Sequence, residues 1–316
     1  MKLSVLWRCG PIVLSVGVLA ACSNGGNQLS PSVIVRPQQS MDRAILKGAL
    51  LYISDPIRNV VKIYSYPQGQ LVSTLTAVKD PEGLCTDNAG NIWVVERVYS
   101  KIVEFARGGT KPIAMLTDGN EYPDGCAVNR RNGDLAVANN NDGGEDPGSV
   151  AIYKGAQGAP AIYSDRAIWF IYFLDYDDRG NLFVDGTSWN DRGRRFRFAE
   201  LPRGANELIN IKVSGAKIEL PGGVQYNNGR VAIGDGKRPI IYQTSGGTVT
   251  GRTTLKRLCK VTEFFIAGEH VIAPNTCGTE GRPGRKDVLI YNYPGGGAPI
   301  KKLTGFSVPF GVVVSE

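Results

Sequence analysis

Apolar and polar positions along this chain alternate with the short period of β-strands, and segments of helical period are missing. The clearest signal is an apolar or β-branched run that follows a turn and ends on a small polar or acidic residue. It recurs as LLYISD (50–55), NIWVVE (91–96), DLAVAN (134–139), NLFVDG (181–186), RVAIGD (230–235) and HVIAPN (270–275). The starts are 41, 43, 47, 49 and 40 residues apart, and 47 residues run from His270 to the end. Each marker strand leads through a polar loop to a second strand: VVKIYSY (60–66), KIVEFA (101–106), SVAIYKG (149–155), RFRFAEL (195–201), PIIYQT (239–244) and DVLIYNY (287–293). A Gly-rich turn such as RGGT (107–110) or PGGG (294–297) follows, then a third strand such as LVSTLT (71–76). A fourth, as in PEGLCTD (81–87) and PDGCAVN (123–129), precedes the next marker.

Alternating strands with turn residues every several positions form antiparallel hairpins. A repeat of this period signals a propeller or a solenoid. No polar caps of the kind a linear solenoid needs are visible. The pattern therefore predicts an all-β, six-bladed β-propeller over residues 50–316, with four antiparallel strands per blade. The first unit lacks the strand before its marker. PFGVVVSE (309–316) matches that missing strand, so the C-terminal strand is expected to close the ring and leave few free edges.

The first residues read as an address. Lys2 and Arg8 precede GPIVLSVGVLAA (10–21), which is shorter than the roughly 20 residues a spanning helix needs and has the length of a signal-peptide core. The run ends in Leu19-Ala20-Ala21-Cys22, which resembles a bacterial lipobox. That resemblance implies a signal peptide over 1–21, a lipid on the Cys22 thiol and a tether over 22–49. The tether is rich in Ser, Asn, Gln, Gly and Pro, and as a flexible chain it would reach roughly 30 Å. The expected location is the extracytoplasmic cell envelope, anchored in the membrane through the lipid. Ser23 is not the Asp that marks inner-membrane retention in some bacteria, which favours the outer membrane.

Cysteine use fits that compartment. With Cys9 in the leader and Cys22 lipidated, Cys85, Cys126, Cys259 and Cys277 remain, and an even number in an oxidising envelope invites disulfides. No closely spaced Cys/His pairs suggest zinc. Cys259 precedes the innermost strand of the last unit and Cys277 follows its marker strand, so a Cys259–Cys277 bridge is expected. Cys85 and Cys126 lie on fourth strands of consecutive units. Their pairing is left open, because a bridge needs Cα atoms within roughly 7 Å.

PEGLCTDNAGNIWVVE and KIVEFARGG resemble an NHL-type repeat. Residues 50–316 as a whole resemble bacterial six-bladed propeller lipoproteins, with gluconolactonase-like and strictosidine-synthase-like propellers as distant relatives. The resemblance implies that the fourth strand of each unit lies innermost and begins at one mouth of a central channel. Positions matching Glu82 are then Asp124, Tyr172, Gly222, Thr262 and Phe310. Lactonase-type propellers hold a divalent metal there, so Glu82 and Asp124 are candidate ligands for calcium or a similar cation. They are two of the six or more oxygens such an ion needs. A metal-dependent lactonase or hydrolase is thus the alternative reading, and the leading one expects no cofactor. No catalytic residue is assigned. The single histidine, His270, falls at a turn on the opposite face.

Charge adds the most. The formal charge is +7 over the whole chain. The loops after five of the six marker strands carry cations on one predicted face: Arg58; Arg97; Arg192, Arg194 and Arg195; Lys237 and Arg238; Arg282, Arg285 and Lys286. The third, NNNDGGEDPG (139–148), is acidic. Clustered cations raise the local concentration of anionic partners. The leading expectation is a monomeric binding or scaffold module for an anionic glycan or an acidic envelope protein, not for nucleic acid. Asp55, Glu96, Asn139, Asp235 and Asn275, which end or nearly end the marker strands, are expected to stabilise turns through the backbone.

Overall fold

A computed structural model describes residues 48–316 except 120, 141–145, 190–192 and 278–283, and except the side chain of Cys277. The leader, Cys22 and the tether lie outside the described residues, as do Arg192, Arg282 and most of the acidic third loop.

Six four-stranded antiparallel sheets make the propeller. Marker strands are the second strand of each blade, counted from the axis. The innermost strands are Val312–Ser315, Pro81–Thr86, Tyr122–Val128, Phe170–Tyr176, Val224–Asn227 and Phe265–Ala267, for blades one to six. The C-terminal strand closes the ring as expected. Val312, Val313 and Val314 pair with Ile53, Tyr52 and Leu51. Gly311 donates its N–H to Ser54 Oγ at 2.7 Å, and Ser315 Oγ donates to the Gly90 carbonyl at 2.7 Å.

The hydrophobic patterning follows from blade stacking. A marker strand is covered by its sheet neighbours and by blades on both faces. Leu50–Asp55 is therefore buried at every position and reads as a continuous apolar run. An outer strand such as Thr248–Thr254 has one solvated face and reads as alternation. Apolar side chains gather into clusters between neighbouring blades. One joins Leu50, Tyr52 and Ile63 of the first blade to Ile92, Val94 and Phe105 of the second. Another joins Phe173 and Phe198 of the fourth to Val224 and Tyr242 of the fifth.

The P-x-G sequence that opens several inner strands has a packing reason. A Cβ on Gly83 would sit 2.4 Å from the Asp124 carbonyl oxygen of the next inner strand. One on Gly125 would sit 2.8 Å from that of Tyr172, and one on Gly311 would sit 2.3 Å from that of Glu82. The inner strands approach too closely at the axis to admit a side chain there. At Gly222 the clearance to the Val261 carbonyl is only 1.9 Å.

Turns between inner and marker strands also repeat. Asp87 accepts the N–H groups of Ala89 and Asn91, and Asp177 accepts those of Arg179 and Asn181. This is the local side-chain-to-backbone pairing that makes Asp a turn former.

Cys85 and Cys126 form a disulfide, with Cα atoms 5.6 Å apart, joining the inner strands of blades two and three. Cys259 is also disulfide-bonded. Its N–H donates to Asn275 Oδ1 at 3.3 Å, on the strand His270–Cys277. We propose Cys277 as its partner.

Candidate functional site

The loops after the marker strands and the starts of the inner strands share one face, and at its centre lies a cavity of about 230 Å³. Its wall carries Arg97, Arg194 and Lys260. Tyr172, Phe173 and Phe310 supply aromatic surface, and Thr187 and Thr262 supply hydroxyls. The cavity is smaller than a drug-sized ligand pocket of roughly 300 Å³ or more.

Each cation is held differently. Arg97 begins the short 3-10 turn Arg97–Tyr99, and its Nη1 lies 2.9 Å from Asp124 Oδ1. Asn140 Nδ2 donates to Asp124 Oδ2 at 2.6 Å. Arg194 is exposed, and its guanidinium stands 4.0 Å over the Phe170 ring and 5.9 Å from that of Trp189. Its Nη1 donates to Tyr172 Oη at 2.8 Å. Contact with an aromatic face orients a guanidinium without neutralising it. Lys260 enters from the loop before the inner strand of blade six. The Oγ1 atoms of Thr187 and Thr262 are buried without a hydrogen-bond partner, a state that costs free energy until a partner arrives.

Beneath the mouth the channel is acidic. Burial, and then the Asp124 carboxylate, push Glu82 up to about 8. Burial pushes Asp185 up to about 8, although it accepts the N–H groups of Phe173 and Gly222. Glu263 is raised well above the ordinary range by burial and then by Glu82, and its Oε2 has no partner. Asp124 rises only to about 6, because Arg97 opposes burial. At neutral pH Glu82 and Asp185 are therefore protonated, and Asp124 is ionised and paired. The acids leave the positive charge of Arg194 and Lys260 uncancelled. Glu263 also lines a second cavity of about 410 Å³, walled by all six inner strands and by Arg130, Arg131, Asp177 and Asp178.

These acids give stability a definite pH dependence. Unfolded, each would titrate near 4. Between about pH 4 and pH 8 the folded chain binds more protons than the unfolded one, so this contribution to stability declines as pH rises across that window. The melting temperature is expected to fall from pH 5 to pH 8, and Glu82→Gln with Glu263→Gln to flatten the fall. A wild-type and variant pair with the same pH profile in differential scanning calorimetry would count against this reading.

Of the cations expected on the mouth face, the structure brings Arg97 and Arg194 to the central cavity. Arg195 lines a neighbouring groove. Others serve the fold. Arg58 donates to Ser307 Oγ and the Gly305 carbonyl, across the junction of blades six and one. Arg238 pairs with Asp235 at 2.7 Å, and Arg285 donates to the Arg257 carbonyl. Lys237 and Lys286 are exposed away from that cavity's lining.

Of the marker-end acids only Asp235 bonds the backbone of its own turn, while Asp55 and Glu96 hold the backbone of distant loops. Asp55 accepts the N–H groups of Ser307 and Val308, Glu96 accepts that of Lys79, and Asp235 accepts that of Lys237. His270 sits at the start of its marker strand, with Nδ1 3.1 Å from Tyr66 Oη.

Sequence reading missed Lys260 and Glu263. The six-way alignment that found Thr262 passes within two residues of both and could have found them. Glu82 and Asp124 do not make a fitting metal centre. Both Asp124 oxygens are engaged by Arg97 and Asn140, and the pair offers only two of the six or more oxygens such an ion needs. No group of three or more His, Cys, Asp or Glu among the described residues is arranged to hold a metal ion.

Fold and site together define a six-bladed β-propeller with a cationic, aromatic-walled mouth. The chain is similar to a chain in the crystal structure of a nidogen/laminin complex, with a TM-score of 0.63 at 15% identity, covering 85% of this chain and 99% of that one. It is equally similar to a protein of unknown function from Bacteroides caccae, with a TM-score of 0.63 at 12% identity and the same coverage. No protein-family model matches the sequence, and no curated protein does.

Proposed function

We propose that this propeller is a binding module of the bacterial cell envelope that takes an acidic sugar unit of a glycan in its central mouth. One observation carries the reading: cations, orphaned hydroxyls and aromatic rings converge on a single small cavity. A hexuronate has the complementary parts. Its carboxylate suits Arg194 and Lys260, its hydroxyls suit Thr187 and Thr262, and the C–H face of its ring suits Tyr172, Phe173 or Phe310. The envelope location rests on the Leu19–Cys22 lipobox resemblance. A structural neighbour in a complex of two proteins fits a recognition role for the fold.

The test is calorimetric titration of the mature protein with glucuronate and, as the neutral control, glucose. Charge-assisted hydrogen bonds are worth about 1.5–3 kcal/mol each, so Arg194→Gln with Lys260→Gln should weaken glucuronate binding by roughly a hundredfold to ten-thousandfold. Raised salt should weaken the wild type as well, because exposed charges are screened. Equal affinity of wild type and variant, or glucose binding as well as glucuronate, would remove the proposal.

A further inference from the structure

A larger basic cavity runs beside the mouth. It lies between blades four and five, has a volume of about 910 Å³ and is lined by Arg194, Arg195, Arg197, Lys212 and Lys217 against one acid among the described residues, Glu219. Arg194 lines both this groove and the mouth cavity, so the two are neighbours with one side chain in common.

The groove exists because blade four is incomplete at its rim. Its outermost strand is only Ile209–Asn210, pairing with Ala199 and Glu200. After Ile211, whose N–H still donates to the Phe198 carbonyl, the chain leaves the sheet and crosses to blade five, where Ser214 bridges Thr248. The first half of the strand Arg195–Leu201 thus has no strand along its outer edge. Arg195 and Arg197 come from that edge, and Lys212 and Lys217 from the crossing chain. The crossing chain is pinned on both sides. Val213 and Ile218 pack into the apolar cluster between blades four and five. Arg238, fixed by Asp235, donates to the Lys217 carbonyl. The cations therefore stand on a built wall rather than on a loose loop.

We infer that the groove holds the body of a linear polyuronate chain whose end unit occupies the mouth; this rests on the acidic-sugar reading of the mouth. Two features favour a glycan over an acidic peptide. The groove borders a cavity of single-ring size, with Arg194 in the wall of both. Beside the shared Arg194, Trp189, 59% exposed, stands edge-on to Phe170, and such an aromatic offers a flat apolar face with a polar tip to a sugar ring. The repeating carboxylates of the chain match a row of cations that faces one acid, Glu219, among the described residues.

The experiment is calorimetric titration of the mature protein with galacturonate, its trimer and its hexamer, with a glutamate hexapeptide as the alternative polyanion. Several weak ion pairs acting together should tighten binding by about tenfold from monomer to hexamer. Arg195→Gln, Arg197→Gln, Lys212→Gln and Lys217→Gln combined should abolish the gain while leaving galacturonate binding in place. Lys212→Gln with Lys217→Gln, both outside the strands, should reduce the gain without touching the sheet. If galacturonate binds and length adds nothing, the groove inference is overturned and the mouth reading stands. If the hexamer binds and galacturonate does not, the groove stands and the mouth reading fails. A hexapeptide that gains as much as the uronate hexamer overturns the choice of ligand class, and no binding by any uronate overturns both.

Discussion

Removal of Val312–Glu316 is expected to abolish cooperative folding of the propeller. These residues carry the innermost strand of blade one, although every other strand of that blade comes from the first units of the chain. Val312, Val313 and Val314 are each at most 4% exposed. Burying one such side chain is worth about 1.5–3 kcal/mol, so losing three approaches the roughly 5–15 kcal/mol that holds a whole domain together. Their loss also strips the backbone partners of Leu50–Ile53 and opens the wall of the central channel. Val313→Asp should reproduce most of the effect from a single atom-scale change. It places a carboxylate at a 2% exposed position packed against Leu84 and Val94. A cost above about 4 kcal/mol is expected. Glu316→Ala, beyond the strand, is the neutral control. Urea unfolding followed by circular dichroism checks all three. A truncated chain that unfolds at the wild-type midpoint would show that the ring does not depend on its closure.

Loss of the Cys85–Cys126 bridge should cost about 2–4 kcal/mol. The two residues are 41 apart in sequence, and a cross-link over a loop of that length removes a few kcal/mol of chain entropy from the unfolded state. Ser in place of both cysteines should lower the urea midpoint accordingly, without changing the native circular dichroism spectrum. Reductant should lower the wild-type midpoint by more than it lowers the variant's, because the variant keeps only the Cys259 bridge. The bridge ties two inner strands already held by the ring, so its loss is expected to be survivable where loss of the closing strand is not. An unchanged midpoint in the double variant would mean that the unfolded chain gains nothing when the link is cut.

Both effects begin in features that differ in how far sequence exposes them. The six marker strands were legible because strand periodicity is local. Successive side chains point to opposite faces, and a strand buried on both, such as Leu50–Asp55, shows as an unbroken apolar run. Ring closure was legible because Pro309–Glu316 repeats the pattern of Pro81–Asp87. The turn role of Asp235 was legible for the same reason, since a short acid bonds to nearby backbone, whereas the bonds of Asp55 to Ser307 and of Glu96 to Lys79 span distant segments that no local pattern contains.

The composition of the mouth was decided elsewhere. Arg58, Arg97, Arg194 and Arg238 occupy equivalent loops, yet Arg58 and Arg238 are drawn to nearby carbonyls and to Asp235, while Arg97 and Arg194 turn to the axis. Lys260 reaches the same cavity from a different set of loops. Register shifts fall between Pro81 and Leu84, between Pro123 and Gly125, and between Ile171 and Leu174. They lie at the inner-strand starts where Glu82, Asp124 and Tyr172 stand, and an extra residue there changes which side chain faces the channel. The Cys85–Cys126 bridge depended on the offset between two inner strands across a blade junction, which no repeat spacing contains. The chain by itself determined its strands, its blade count and its closure, because these follow from periodicity within a few residues. Only the tertiary structure decided which side chains meet at the axis, because that depends on bulges and blade offsets set by packing between segments some forty residues apart.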